Sequence, residues 1–60
     1  MNNVPQLVVT RGSVSFYVNQ VGARFGCLYR DHQCARGYTL QGVYGTRAEA
    51  EAACYRYVAE

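Results

Sequence analysis

Gly42-Val43-Tyr44-Gly45-Thr46-Arg47-Ala48-Glu49-Ala50-Glu51-Ala52-Ala53-Cys54-Tyr55-Arg56-Tyr57-Val58 is the stretch whose reading decides the fold. It reads as the end of a strand, a tight corner and one amphipathic helix over about 46–58. Thr46 suits the N-cap: its hydroxyl can accept from the Glu49 N–H, and the Glu49 carboxylate can reach back to the Thr46 N–H. Glu49 and Glu51 also set negative charge near the positive end of the helix dipole. Ala50, Ala53, Cys54, Tyr57 and Val58 follow the spacing of one apolar stripe. Arg47, Glu51 and Arg56 fall on the other side. A helix with one apolar stripe is unstable by itself, so the preceding residues must supply the surface it covers.

Those residues read as strands. Residues 1–6 form a loose leader, with Pro5 unable to donate a ladder hydrogen bond. Leu7-Val8-Val9-Thr10 is a short β-branched run, expected to pair as an edge. Arg11-Gly12 makes a turn, and Ser13 to Asn19 resumes with alternation. Gly22 marks the next turn, Arg24 to Arg30 the next strand, and Asp31 to Gly37 a polar loop. Tyr38 to Tyr44 is the last strand. Connections this short favour antiparallel neighbours. The expected fold is α+β: an antiparallel meander of three or four strands packed on one face by a single C-terminal helix, one small domain over residues 1–60.

Period two assigns the faces. Val14, Phe16, Val18, Phe25, Cys27, Tyr29, Tyr38, Leu40 and Tyr44 are expected beneath the helix, with Gly42 leaving room for its approach. Phe16, Phe25 and Leu40 are expected to be the most buried. The open face is then expected to present Ser13, Ser15, Tyr17 and Asn19, then Arg24, Leu28 and Arg30, then Thr39, Gln41 and Val43. Tyr17, Asn19, Arg24, Arg30, Thr39 and Gln41 are the candidate binding residues.

The chain has 60 residues, a net charge of +2 and a hydrophobic share of 50%, enough for one modest core. All six basic residues are arginine. Residues 1–45 hold four Arg against Asp31, so the sheet half is the positive half. Arg suits bidentate recognition of phosphate, carboxylate or guanine. No run reaches the roughly 20 apolar residues of a membrane span. The N-terminus lacks a signal-peptide pattern, so the expected location is cytoplasmic.

Three cysteines without a secretory signal argue against a disulfide framework. Cys27, His32, Cys34 and Cys54 hold the ligand types of a zinc site, but their spacing matches no common finger, and no cofactor is expected. No nucleophile–base–oxyanion arrangement stands out, and no enzyme activity is expected. A small binding module is what elimination leaves.

Residues 40–53, Leu40-Gln41-Gly42-Val43-Tyr44-Gly45-Thr46-Arg47-Ala48-Glu49-Ala50-Glu51-Ala52-Ala53, resemble the end of AP2-type DNA-binding domains. There a last strand with a glycine and an aromatic runs into a Thr-x-x-Glu-Ala helix start. The arm-binding domains of tyrosine recombinases share the three-strand-plus-helix plan. The resemblance implies that the sheet face away from the helix enters the major groove. That role would fall on Arg24 and Arg30, with Tyr17, Asn19, Thr39 and Gln41 beside them. The expected function is therefore nucleic-acid binding through the open face. The alternative is a phage- or mobile-element-type inhibitor, anti-CRISPR-like, that masks a host protein or protein–nucleic acid complex. An exposed edge strand also allows a homodimer.

Overall fold

The computed structural model describes residues 4–33 and 37–59. Four strands come first: β1 (Gln6–Arg11), β2 (Val14–Val21), β3 (Arg24–Asp31) and β4 (Thr39–Tyr44). One helix follows, α1 (Arg47–Ala59). The strands form one antiparallel sheet in chain order, β1-β2-β3-β4. The expected meander and C-terminal helix are both present. Gly12 and Gly22 open the two-residue hairpin loops with φ of 61° and 62°, values that a residue with a Cβ rarely adopts.

The capping box forms as the sequence requires. Glu49 N–H donates to Thr46 Oγ1 at 3.2 Å, and Thr46 N–H donates to Glu49 Oε1 at 3.1 Å. The Thr46 carbonyl accepts from Ala50 N–H at 3.2 Å, which closes the first turn. From that start, Ala50, Ala53 and Cys54 fall on the sheet side and are buried. They meet Phe16, Val18 and Cys27, and Tyr57 and Val58 extend the contact. Phe16 stacks parallel to Tyr57 with centroids 6.4 Å apart and meets Tyr29 at a tilt. Small helix residues let the axis settle close to the middle of the sheet, where Val18, Cys27 and Cys54 are 0% exposed.

Two arginines tie the helix to the edge strand. Arg47, in the first turn, donates to Gln6 Oε1 and pairs with Glu51 at 2.9 Å. Arg11, at the end of β1, donates to the carbonyl of Val58 in the last turn. The helix thus runs in the same direction as β1. Eleven helical steps span about 16.5 Å, close to the roughly 17 Å of five strand steps, so both ties can form together.

Two irregularities change the face assignments. The β1–β2 register shifts between Leu7 and Val9, so Val8 is the extra residue of a bulge, and Val8 and Val9 both pack against the core. The β3–β4 register shifts between Cys27 and Leu28: Gly42 pairs with Cys27, but Leu40 pairs with Leu28, leaving Gln41 extra. Directly paired residues point to the same side of a sheet. Leu40 therefore lies with Leu28 on the open face and is 51% exposed, which corrects the expectation that it is core. Tyr38 also moves out, where its ring meets that of Tyr17. Thr39 pairs with Tyr29 and so moves to the helix side.

Two smaller expectations also change. Phe25 is half-buried, because it pairs with Gln20 next to the Val21–Arg24 pair that closes the β2–β3 hairpin, at the end of the sheet. The space over Gly42 is filled by the Tyr44 ring instead of the helix: a Cβ there would lie 3.0 Å from Tyr44 Oη. The Tyr44 side chain also hydrogen-bonds Tyr57, which holds the Tyr57 phenol above its ordinary 10.0. Burial, followed by the neighbouring Cys27 thiol, pushes Cys54 from its ordinary 9.0 up to about 12.

These placements give two predictions. Phe16→Ala lowers unfolding free energy by about 3 kcal/mol, whereas Leu40→Ala changes it by less than about 1 kcal/mol; urea titrations monitored by circular dichroism separate the two. In the reduced protein, the Cys54 thiol ionises from 9.0 upward when unfolded but only near 12 when folded. Its contribution to stability is therefore full below pH 9.0 and fades as pH rises toward 12. Denaturant titrations at about pH 8 and about pH 10.5 measure this fall, and Cys54→Ala flattens it. An identical fall in the variant contradicts the assignment.

Candidate binding face

The open face is defined by pairing. Tyr17 is opposite Leu7 on one side and Leu28 on the other, and Leu28 is opposite Leu40. One row of apolar and aromatic side chains, Leu7–Tyr17–Leu28–Leu40, thus crosses all four strands. The next row toward the β2–β3 hairpin is Asn19–Gly26–Val43. The Leu40 and Val21 side chains lean over Gly26: a Cβ there would stand 3.0 Å from Leu40 Cδ1 and 3.2 Å from Val21 Cγ2. Glycine at this position is what lets the apolar groups close into one continuous patch. Leu7, Val21, Tyr38, Leu40 and Val43 all remain exposed on it.

Polar groups flank the row. Arg24 pairs with Val21 at the hairpin end and is exposed. Arg30 pairs with Ser15 at the other end. Its guanidinium carbon stands 5.9 Å from the centroid of the Tyr38 ring, and that ring meets Tyr17 edge-on with centroids 4.9 Å apart. Arg30 Nε is buried without a hydrogen-bond partner among the described residues. Among the described residues whose pairing puts them on this face, none is acidic.

The candidate residues are thus divided. Tyr17, Asn19, Arg24 and Arg30 share the open face as expected. Thr39 does not, because the bulge turns it to the helix side, and Gln41 is the bulged residue with no partner across the ladder. The residues the sequence reading omitted are Leu7, Leu40 and Tyr38. A signal for Leu7 was available, since it lies in the β-branched run of the edge strand. For Leu40 and Tyr38 the signal was the bulge, which period two cannot register.

A second polar group lies at the Arg30 end. The Ser15 hydroxyl is 2.8 Å from His32 Nε2 and 3.2 Å from Thr10 Oγ1. A serine beside a histidine invites a catalytic reading, but the geometry does not favour it. Ser15 is 3% exposed, so a substrate cannot reach it. The Asp31 carboxylate accepts from Ser13 and from the Gln33 N–H, binding the turn together. A mixed cysteine–histidine metal site also finds no support in the placement. Cys27 and Cys54 lie under the helix, whereas His32 bonds to a residue of the open face, and Cys34 lies outside the described residues. Among the described residues, no three candidate metal ligands cluster. No helix among them is long and apolar enough to cross a membrane.

No family model matches the chain, and neither a curated protein nor a solved structure matches it.

Arg30→Met keeps the aliphatic stem over the sheet and removes the unpaired Nε. A buried donor without a partner costs about 1–3 kcal/mol, so this change leaves stability level or raises it by about 1 kcal/mol. Thermal melts of the two proteins measure the difference. A loss of stability beyond the roughly 1 kcal/mol of the Tyr38 ring contact would mean that the guanidinium has a further structural partner.

Proposed function

We propose that this chain is a small non-catalytic binding module that docks the open face of its sheet against a protein surface. The observation that carries this reading is the uncovered row Leu7–Tyr17–Leu28–Leu40. Contiguous apolar patches on a soluble domain mark interaction surfaces. The patch combines aliphatic groups, tyrosines and two arginines, with no acid among its described residues, which is the composition of an interface core. A protein partner with an apolar centre and carboxylates at its rim complements it. Small modules that mask a host protein, as phage- and mobile-element-type inhibitors do, would use such a face.

A second reading, nucleic-acid binding, has its own support. Arg24 and Arg30 share the face with Tyr17 and Asn19, and the AP2-type resemblance assigns base and phosphate contacts to that side. It ranks behind the first because aliphatic groups occupy the middle of the patch, where a nucleic-acid groove would want cations and stacking rings.

Two substitutions separate the readings. Leu40→Asp puts a carboxylate on an exposed position and leaves the fold intact by circular dichroism. Under the protein-binding reading it abolishes capture of a partner from nuclease-treated host lysate, while Arg24→Ala with Arg30→Ala weakens capture roughly 10-fold or more. A salt-sensitive gel shift with oligonucleotides, lost in the double arginine variant and retained in Leu40→Asp, overturns it in favour of nucleic acid. A dimer dispersed by Leu40→Asp in sedimentation equilibrium would make a second copy the partner.

A further inference from the structure

Cys27 in β3 and Cys54 in α1 face each other at the centre of the helix–sheet contact. Each is 0% exposed, and their Sγ atoms are 3.1 Å apart. The binding role described above uses neither. We propose that Cys27 and Cys54 form a redox pair that closes to a disulfide and fastens the helix to the third strand.

Three observations lead there. The sulfurs are already in contact, and bond formation needs them to move about 1 Å closer, to roughly 2.05 Å. The two cysteines lie 27 positions apart in the chain, and a cross-link closing a loop of that length restricts the unfolded chain substantially. The core is poor in volume: among the described residues, the buried apolar groups are Phe16, Val18, two alanines and these two cysteines. A domain of 60 residues with so small a core gains more from one covalent tie than a larger one does. With no third ligand beside them among the described residues, a cross-link is the chemistry two thiols in contact can perform.

The oxidant is a low-molecular-weight disulfide such as oxidised glutathione. One cysteine, as thiolate, attacks a glutathione sulfur; the S–S bond of glutathione breaks and one glutathione thiolate leaves. The second cysteine then attacks the mixed disulfide at the protein sulfur and expels the other glutathione thiolate. Two protein thiols lose two electrons and two protons in total, and one glutathione disulfide is reduced to two thiols. Both sulfurs are sealed under the helix, so the exchange runs while the chain folds or when the helix lifts. The folded Cys54 thiol keeps its proton up to about 12, which makes the closed, reduced pair slow to react.

The test uses the full chain with Cys34→Ser, which removes the third thiol. The protein is unfolded, refolded with reduced and oxidised glutathione, and examined by intact mass, thiol titration in denaturant and thermal melting. The expected product has lost two hydrogens, shows no titratable thiol and melts roughly 10–20 °C above the dithiothreitol-treated protein. A Cys54→Ala version shows no such difference between oxidised and reduced samples. The proposal is overturned if both thiols remain titratable or carry glutathione. It is equally overturned if the cross-linked protein melts no higher than the reduced one. None of these readouts depends on a binding partner, so the outcome is independent of the proposed function.

Discussion

A single helix can shield only one side of a sheet, and nearly every feature of this molecule follows from that. The 13 residues of α1 carry their small side chains, Ala50, Ala53 and Cys54, on one stripe. Small groups bring the helix axis close to Val18 and Cys27, and the larger Phe16 and Tyr57 fill in beside them. Arg47 and Arg11 hold the two ends of the helix against β1. Two of the arginines that make the chain basic are thereby engaged on the helix side. Arg24 and Arg30 are the pair on the side that remains open.

The two bulges then decide what each side is made of. Both lie in edge strands, where an extra residue disturbs the ladder least and blunts the edge against unwanted pairing. In β1 the extra residue turns Val8 and Val9 to the core together, which adds apolar volume to a small interior. In β4 it does the reverse, sending Leu40 and Tyr38 outward and Thr39 inward. A well-packed alternating strand would have left the open face polar. The bulged strand completes an apolar row from Leu7 to Leu40 instead. Surface apolar groups arranged in one line across four strands ask for a partner in a way that scattered ones do not.

β3 links the core to this face. Cys27 lies under the helix while its neighbours Gly26 and Leu28 lie on the open side, one as the floor beneath Leu40 and Val21 and the other in the apolar row. Anything that tightens or loosens the Cys27–Cys54 contact therefore acts on the strand that carries the middle of the patch.

The helix, its cap and its stripe were legible in Thr46, Glu49 and the spacing of Ala50, Ala53, Cys54, Tyr57 and Val58, because these are local properties repeating every 3.6 residues. The meander was legible too, since Gly12 and Gly22 mark loops too short for anything but antiparallel hairpins, and the faces of β2 and β3 followed from strict alternation. The faces of β4, the contact between the two cysteine sulfurs and the Ser15–His32 pair were decided only by tertiary structure. Alternation assigns faces correctly while each residue has one partner across the ladder. An extra residue such as Gln41 reverses everything beyond it, and it becomes visible only when the neighbouring strand is in place to be paired against.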